Sequence, residues 1–97
     1  MAGQIRMTPE TMRERAGAYD KEGENLQGVI DQMDSLLEQL LTEWEGSAAE
    51  AYNDKFEQLR PGFVKAKELI DDIAASLRAS ADAIEETDTN IANAYRG

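Results

Sequence analysis

The 97-residue sequence predicts an all-α fold, an antiparallel two-helix hairpin that dimerises into a four-helix bundle. Three observations carry that expectation. Apolar or small residues recur in four-three steps along two long stretches, the pattern of helices packing lengthwise. A glycine and a Ser-x-x-Glu box stand between the stretches, stopping one helix and starting another. The apolar faces are also wider than one partner helix covers. A chain this short buries a modest fraction of its surface, so its core needs well-aligned elements or a second subunit.

The first helix is expected over about 9–43. Thr8-Pro9-Glu10 opens it: the Thr hydroxyl can accept from an unpaired backbone N–H, and Pro is tolerated in the first turn. Its seam runs through Met12, Ala16, Tyr19, Gly23, Leu26, Ile30, Met33, Leu37, Leu40 and Trp44. At about 1.5 Å per residue this arm is roughly 50 Å long. Gly17, Gly23 and Gly28 lie inside it, each costing up to ~1 kcal/mol relative to Ala. Because Ala16 and Gly23 fall on the seam itself, close approach between two hairpins is the expected compensation.

Trp44-Glu45-Gly46 forms the turn, with Gly46 expected to close the first helix in a left-handed conformation. Ser47-Ala48-Ala49-Glu50 reads as a capping box opening the second helix, over about 47–94. So short a connection turns the arms back antiparallel. The second seam is Tyr52, Phe56, Leu59, Phe63, Ala66, Ile70, Ile73, Leu77, Ser80, Ile84, Thr87, Ile91 and Ala94. Pro61-Gly62 lies inside this run, and the continuing phase predicts a kink rather than a break. Trp44, last on the first seam, reads as an aromatic plug at the end of the hairpin core.

Val29, Leu36 and Leu41 widen the first apolar face, and Leu69, Ala74 and Ala81 widen the second. The expected dimer interface therefore uses Ala16, Gly23, Leu26, Val29, Ile30, Met33 and Leu36, and the expected partner is a second copy.

Composition narrows the function. Asp and Glu outnumber Lys and Arg 20 to 10, giving a net charge of -10. Such a surface repels nucleic acid, and the lack of a basic amphipathic face argues against stable membrane insertion. Neither Cys nor His is present, which removes thiolate chemistry and the usual general base and nitrogen ligand. Asp71-Asp72 and Glu85-Glu86 are neighbours pointing about 100° apart on a helix and cannot share a proton. Asp82 and Glu86 share a face and read as solvated. Ser47 lacks a base. No catalytic, metal or cofactor site is expected. No membrane-length apolar run and no signal-peptide core are visible, so export, if it occurs, would read something other than an N-terminal signal.

Trp44-Glu45-Gly46, set mid-chain between two amphipathic helices, resembles the WXG-motif family of small helical-hairpin proteins. This is the early-secreted-antigen type handled by type VII secretion systems of Gram-positive bacteria and mycobacteria. The resemblance covers the whole chain, and Ile5-Arg6-Met7-Thr8-Pro9-Glu10 and Tyr52-Asn53-Asp54-Lys55-Phe56-Glu57-Gln58-Leu59 look like its Bacillus-type branch. It implies a secreted dimeric protein, folded in the cytoplasm and exported without a cleaved signal peptide, that acts as substrate and co-secretion partner. It also implies a C-terminal export signal. The mycobacterial Tyr-x-x-x-Asp/Glu form is absent, since only Arg96 and Gly97 follow Tyr95, but Ile84, Asp88, Ile91 and Tyr95 match the related Firmicutes pattern. The secretion ATPase is the implied reader of that strip. As ordinary helix residues, Ile84 and Ile91 would be seam positions and Asp88 a solvated charge. Two further partners are compatible with the pattern, a related small helical protein and a larger toxin. The competing function is a non-secreted cytoplasmic adaptor or targeting chaperone.

Overall fold

The computed structural model describes residues 8–44 and 46–96, the last two by backbone alone. Ile5, Arg6, Met7 and Glu45 of the sequence motifs lie outside the described residues. Two helices, α1 (Pro9–Glu43) and α2 (Ser47–Arg96), run antiparallel. The rod measures 76 × 30 × 17 Å, with a radius of gyration of 21.9 Å. A compact domain of this length would have a radius of about 13 Å, so the hairpin extends its surface instead of enclosing a cleft.

The ends of the helices follow local chemistry. Thr8 caps α1, its Oγ1 accepting from the Thr11 N–H at 3.1 Å, with Pro9 in the first turn where no N–H is required. At the far end Trp44 leaves the helix in extended conformation, and its N–H donates to the Leu40 carbonyl at 2.9 Å. Gly46 has φ +114°, a conformation open to glycine and strained for other residues. Its role differs from the expected one. Trp44 ends α1, while the Gly46 carbonyl accepts from the Glu50 N–H at 3.3 Å and so begins α2. Ser47 is consequently the first residue inside α2, not its cap. Pro61 sits within α2 without ending it.

The arms close mostly on small side chains, with Ile30 the large one. Ala16, Gly23 and Ile30 are buried on α1, and Ala49, Ala74 and Ala81 on α2. A Cβ at Gly23 would lie 2.8 Å from Asp71 Oδ1 and 3.4 Å from Ile70 Cγ2, so this glycine lets the two arms of one hairpin approach. That corrects the expectation that Ala16, Gly23 and Ile30 serve contact between hairpins. Gly17 and Gly28 meet nothing within 4 Å.

One edge of this contact is polar. Arg13 bonds Asp82 at 2.7 Å and both oxygens of Glu85 at 2.6 and 2.9 Å. Asp20 takes Arg78 at 2.6 Å, and Asp34 takes Arg60 in a two-point contact at 2.9 and 3.0 Å. Higher residue numbers on α1 pair with lower ones on α2, as antiparallel arms require. Lys67 adds a bond to Asp71 within α2 at 2.6 Å. Asp82 therefore works with Glu85 in holding Arg13, where the sequence pointed to Asp82 with Glu86 as a solvated face.

The phase of α2 is also corrected. The line that meets α1 runs through Asn53, Arg60, Lys67, Ala74 and Ala81, one residue later than the expected Tyr52, Leu59, Ala66, Ile73 and Ser80. Ala74 and Ala81, expected to flank the seam, lie at its centre. Leu59 remains 54% exposed.

Candidate functional site

With the closing lines fixed, helical geometry assigns the remaining sides. On α1, residues four beyond the closing line (Asp20, Asp34) form the polar edge. Residues three beyond it (Tyr19, Leu26, Met33, Leu40) and one before it (Val29, Leu36) turn to the opposite side. On α2 the same offsets place Phe56, Phe63, Ile70, Leu77 and Ile84, with Tyr52, Leu59 and Ile73, on that side too. A shallow groove lined by Met33, Leu36, Leu37, Leu40, Tyr52 and Phe56 joins the two arms there.

The result is a continuous apolar face that the hairpin leaves open. Val29 is 50% and Leu36 53% exposed, while Leu26 and Met33 are half-buried. Contiguous exposed apolar patches mark interaction surfaces. Of the seven expected interface residues, these four lie on the open face; Ala16, Gly23 and Ile30 lie inside the hairpin.

At the turn, the Trp44 and Tyr52 rings pack with centroids 5.5 Å apart at 47°, a tilted pair. Trp44 is 39% exposed, so it covers the turn from outside and does not plug a core. Ala48, Ala51, Tyr52 and Lys55 form a shallow groove beside it.

At the other end, the described side chains from Glu85 to Ala94 are all exposed. Ile84 is half-buried and lines a shallow groove with Ala83, Thr87 and Asp88, while Ile91 is exposed. Ile84 and Ile91, seven residues apart, share one side of α2, and Asp88 and Tyr95 share the adjoining line by the same spacing. The Tyr95 side chain lies outside the description.

Electrostatics concentrate on the polar edge. Arg78 holds Asp20, Arg60 holds Asp34 and Arg13 holds Glu85 below the usual carboxylate range, in each case through a side-chain hydrogen bond. Arg13 is correspondingly raised by Glu85 and Asp82, and Lys67 by Asp71. Asp20, Asp34, Asp82 and Glu85 are engaged in joining the arms, while Asp71 is held within α2. Among the described residues no group of three or more acidic side chains gathers into a metal site, and no helix is long and apolar enough to cross a membrane.

Residues 4–89 match the family described as WXG100, proteins of 100 residues with WXG. The chain belongs to the WXG100 family. Its WXG residues Trp44 and Gly46 are those that end α1 and begin α2. Protein YukE of Bacillus subtilis is 39% identical over 97 residues, covering 100% of both chains. The type VII secretion system extracellular protein A of Staphylococcus aureus is 26% identical over 91 residues, 94% of each chain. Among solved structures, EsxA of Geobacillus thermodenitrificans superposes with a TM-score of 0.82 at 38% identity, over 95% of this chain and 99% of that one. The secreted protein EsxB of Bacillus anthracis reaches 0.80 at 24% identity, over 91% and 99%, a likeness of fold. The WXG100 fold read from the sequence, an all-α helical hairpin, is the fold observed.

The sequence did not reveal the ion pairs between the arms. A signal was available, because Arg13, Asp20 and Asp34 are separated by multiples of seven and meet opposite charges in reversed order along α2.

Proposed function

We propose that this WXG100 protein is a substrate of a type VII secretion system, exported as a folded homodimer and acting as co-secretion partner through protein–protein contacts. One observation carries the reading: a hairpin closed by small residues, Ile30 and ion pairs leaves most of its other large apolar side chains on one open face. Two copies joined by that face form a four-helix bundle with a full core. The extracellular designation of the staphylococcal relative supports the destination. The protein is made and folded in the cytoplasm before export. The secretion ATPase reads Ile84, Asp88, Ile91 and Tyr95, which fall in the C-terminal part of α2.

The test is export in wild-type and ATPase-deleted strains. Protein should accumulate in the medium of the first and stay in the cells of the second. Retention in both strains would instead identify a cytoplasmic adaptor or targeting chaperone. Asp88→Ala and Tyr95→Ala should each cut export about tenfold or more while helicity and self-association stay unchanged. Loss of folding in these variants would make the four residues structural.

A further inference from the structure

Arg13 makes the last hydrogen bonds between the arms among the described residues, and every described side chain from Glu85 to Ala94 is exposed. α2 nevertheless stays helical to Arg96. Its sequence there does little to explain this. Thr87-Asp88-Thr89-Asn90 is a run of weak helix formers, because threonine is crowded by the preceding turn and Asp and Asn side chains compete for the backbone. With its described side chains in solvent, such a stretch keeps its helix by propagation from a turn already formed.

That turn is the one Arg13 grips. Asp82 and Glu85 stand three residues apart on the same side of α2, where two carboxylates repel and disfavour the helix. Arg13 Nη2 donates to Asp82 Oδ1 at 2.7 Å and to Glu85 Oε2 at 2.9 Å, and Nη1 donates to Glu85 Oε1 at 2.6 Å. One guanidinium therefore ties both ends of a single turn and replaces the repulsion by a bridge. Ile84, first of the export-signal residues, lies inside that turn. The other pairs between the arms, Asp20 with Arg78 and Asp34 with Arg60, engage one carboxylate each. So exposed a contact adds little to the stability of the whole hairpin. A helix end without packing has far less local stability, and there a small contribution decides whether the helix persists.

Resting on the reading of Ile84, Asp88, Ile91 and Tyr95 as the export strip, we propose that Arg13 is a positioning residue for that strip, bracing the Asp82–Glu85 turn so that the tail of α2 stays helical. The first arm thereby takes part in export without itself touching the ATPase. The helix is what gives Ile84 and Ile91 a common side, seven residues apart, and an unwound tail loses it.

Two substitutions separate the brace from a general loss of ion pairs. Arg13→Ala and Arg78→Ala each break contact between the arms, but only the first frees the turn before the tail. In hydrogen exchange of the purified protein, residues 86–94 should exchange about three- to fivefold faster in Arg13→Ala and at the wild-type rate in Arg78→Ala. Export should fall about fivefold with Arg13→Ala and stay within about twofold with Arg78→Ala. Thr89→Ala/Asn90→Ala, added to Arg13→Ala, raises helix propensity at positions off the lines of the strip and should restore both protection and export. Wild-type exchange of residues 86–94 in Arg13→Ala, or equal acceleration in both variants, overturns the brace. Failure of Thr89→Ala/Asn90→Ala to restore export overturns it as well, because Arg13 would then act by a contact of its own. A loosened tail exported at the wild-type level overturns the role in export. If Asp88→Ala and Tyr95→Ala are then exported normally too, the strip reading fails, while the brace seen by exchange stands.

Discussion

The three glycines of α1 have different roles that the sequence alone does not separate. Gly23 faces Asp71 and Ile70 at the contact between arms, whereas Gly17 and Gly28 face open space. At Gly17 an added methyl meets nothing and gains helix propensity. Gly17→Ala should therefore stabilise the protein by up to ~1 kcal/mol, raising the melting temperature by about 4–8 °C. Gly23→Leu must push the arms apart or displace the Asp71 carboxylate from Lys67, and overpacking of this kind costs about 1–3 kcal/mol. Thermal melts followed by circular dichroism at 222 nm check both, and a Gly23→Leu protein that melts with Gly17→Ala would remove the close approach from the account. Propensity marks all three glycines as weak points, but only the partner helix shows which one is needed.

At the scale of the helices, the existence, length and direction of both arms were legible in the four-three periodicity and in Gly46. The rotation of α2 was not. Periodicity weighs the large apolar residues most, and on α2 these occupy the open face, while the closing line holds Ala74, Ala81 and the stems of Arg60 and Lys67. Long-range charge pairing then fixes the register of the hairpin, and this gives it a defined response to acid. Asp20, Asp34 and Glu85 have lowered folded-state pKa values. The stability they contribute is present above their unfolded values, about 4, and is lost as pH falls through the folded ones. Protonation also relieves the repulsion of a chain at -10, so wild-type melting temperatures alone mix two opposing effects. Comparison with Asp20→Asn/Asp34→Asn separates them. The wild-type advantage should be constant from about pH 7 to 5 and shrink below about pH 4. An advantage that persists undiminished at about pH 2.5 would mean that the pairs do not stabilise the closed hairpin.

Taken whole, the molecule is a rod with two sides of opposite character, and its size explains why. Ninety-seven residues drawn out to 76 Å cannot surround a core, so the apolar side chains left over after the arms close must lie together on one face. The candidate interface was legible to that extent: Leu26, Val29, Met33 and Leu36 reach it, while Ala16, Gly23 and Ile30 are used one level earlier in closing the hairpin. This division makes position, not side-chain chemistry, decide the effect of a charge. Leu36→Glu puts a carboxylate into the proposed contact, where desolvation without a partner is costly, and the two-fold symmetry doubles the damage. Ser35→Glu places the same group one residue away on the acidic back, where it stays in water. Leu36→Glu should weaken self-association at least tenfold, and Ser35→Glu should leave it within about twofold, with helicity of the hairpin retained in both. Sedimentation equilibrium over a concentration series measures the difference. Equal effects of the two substitutions would show that overall charge governs association and that the open face does not.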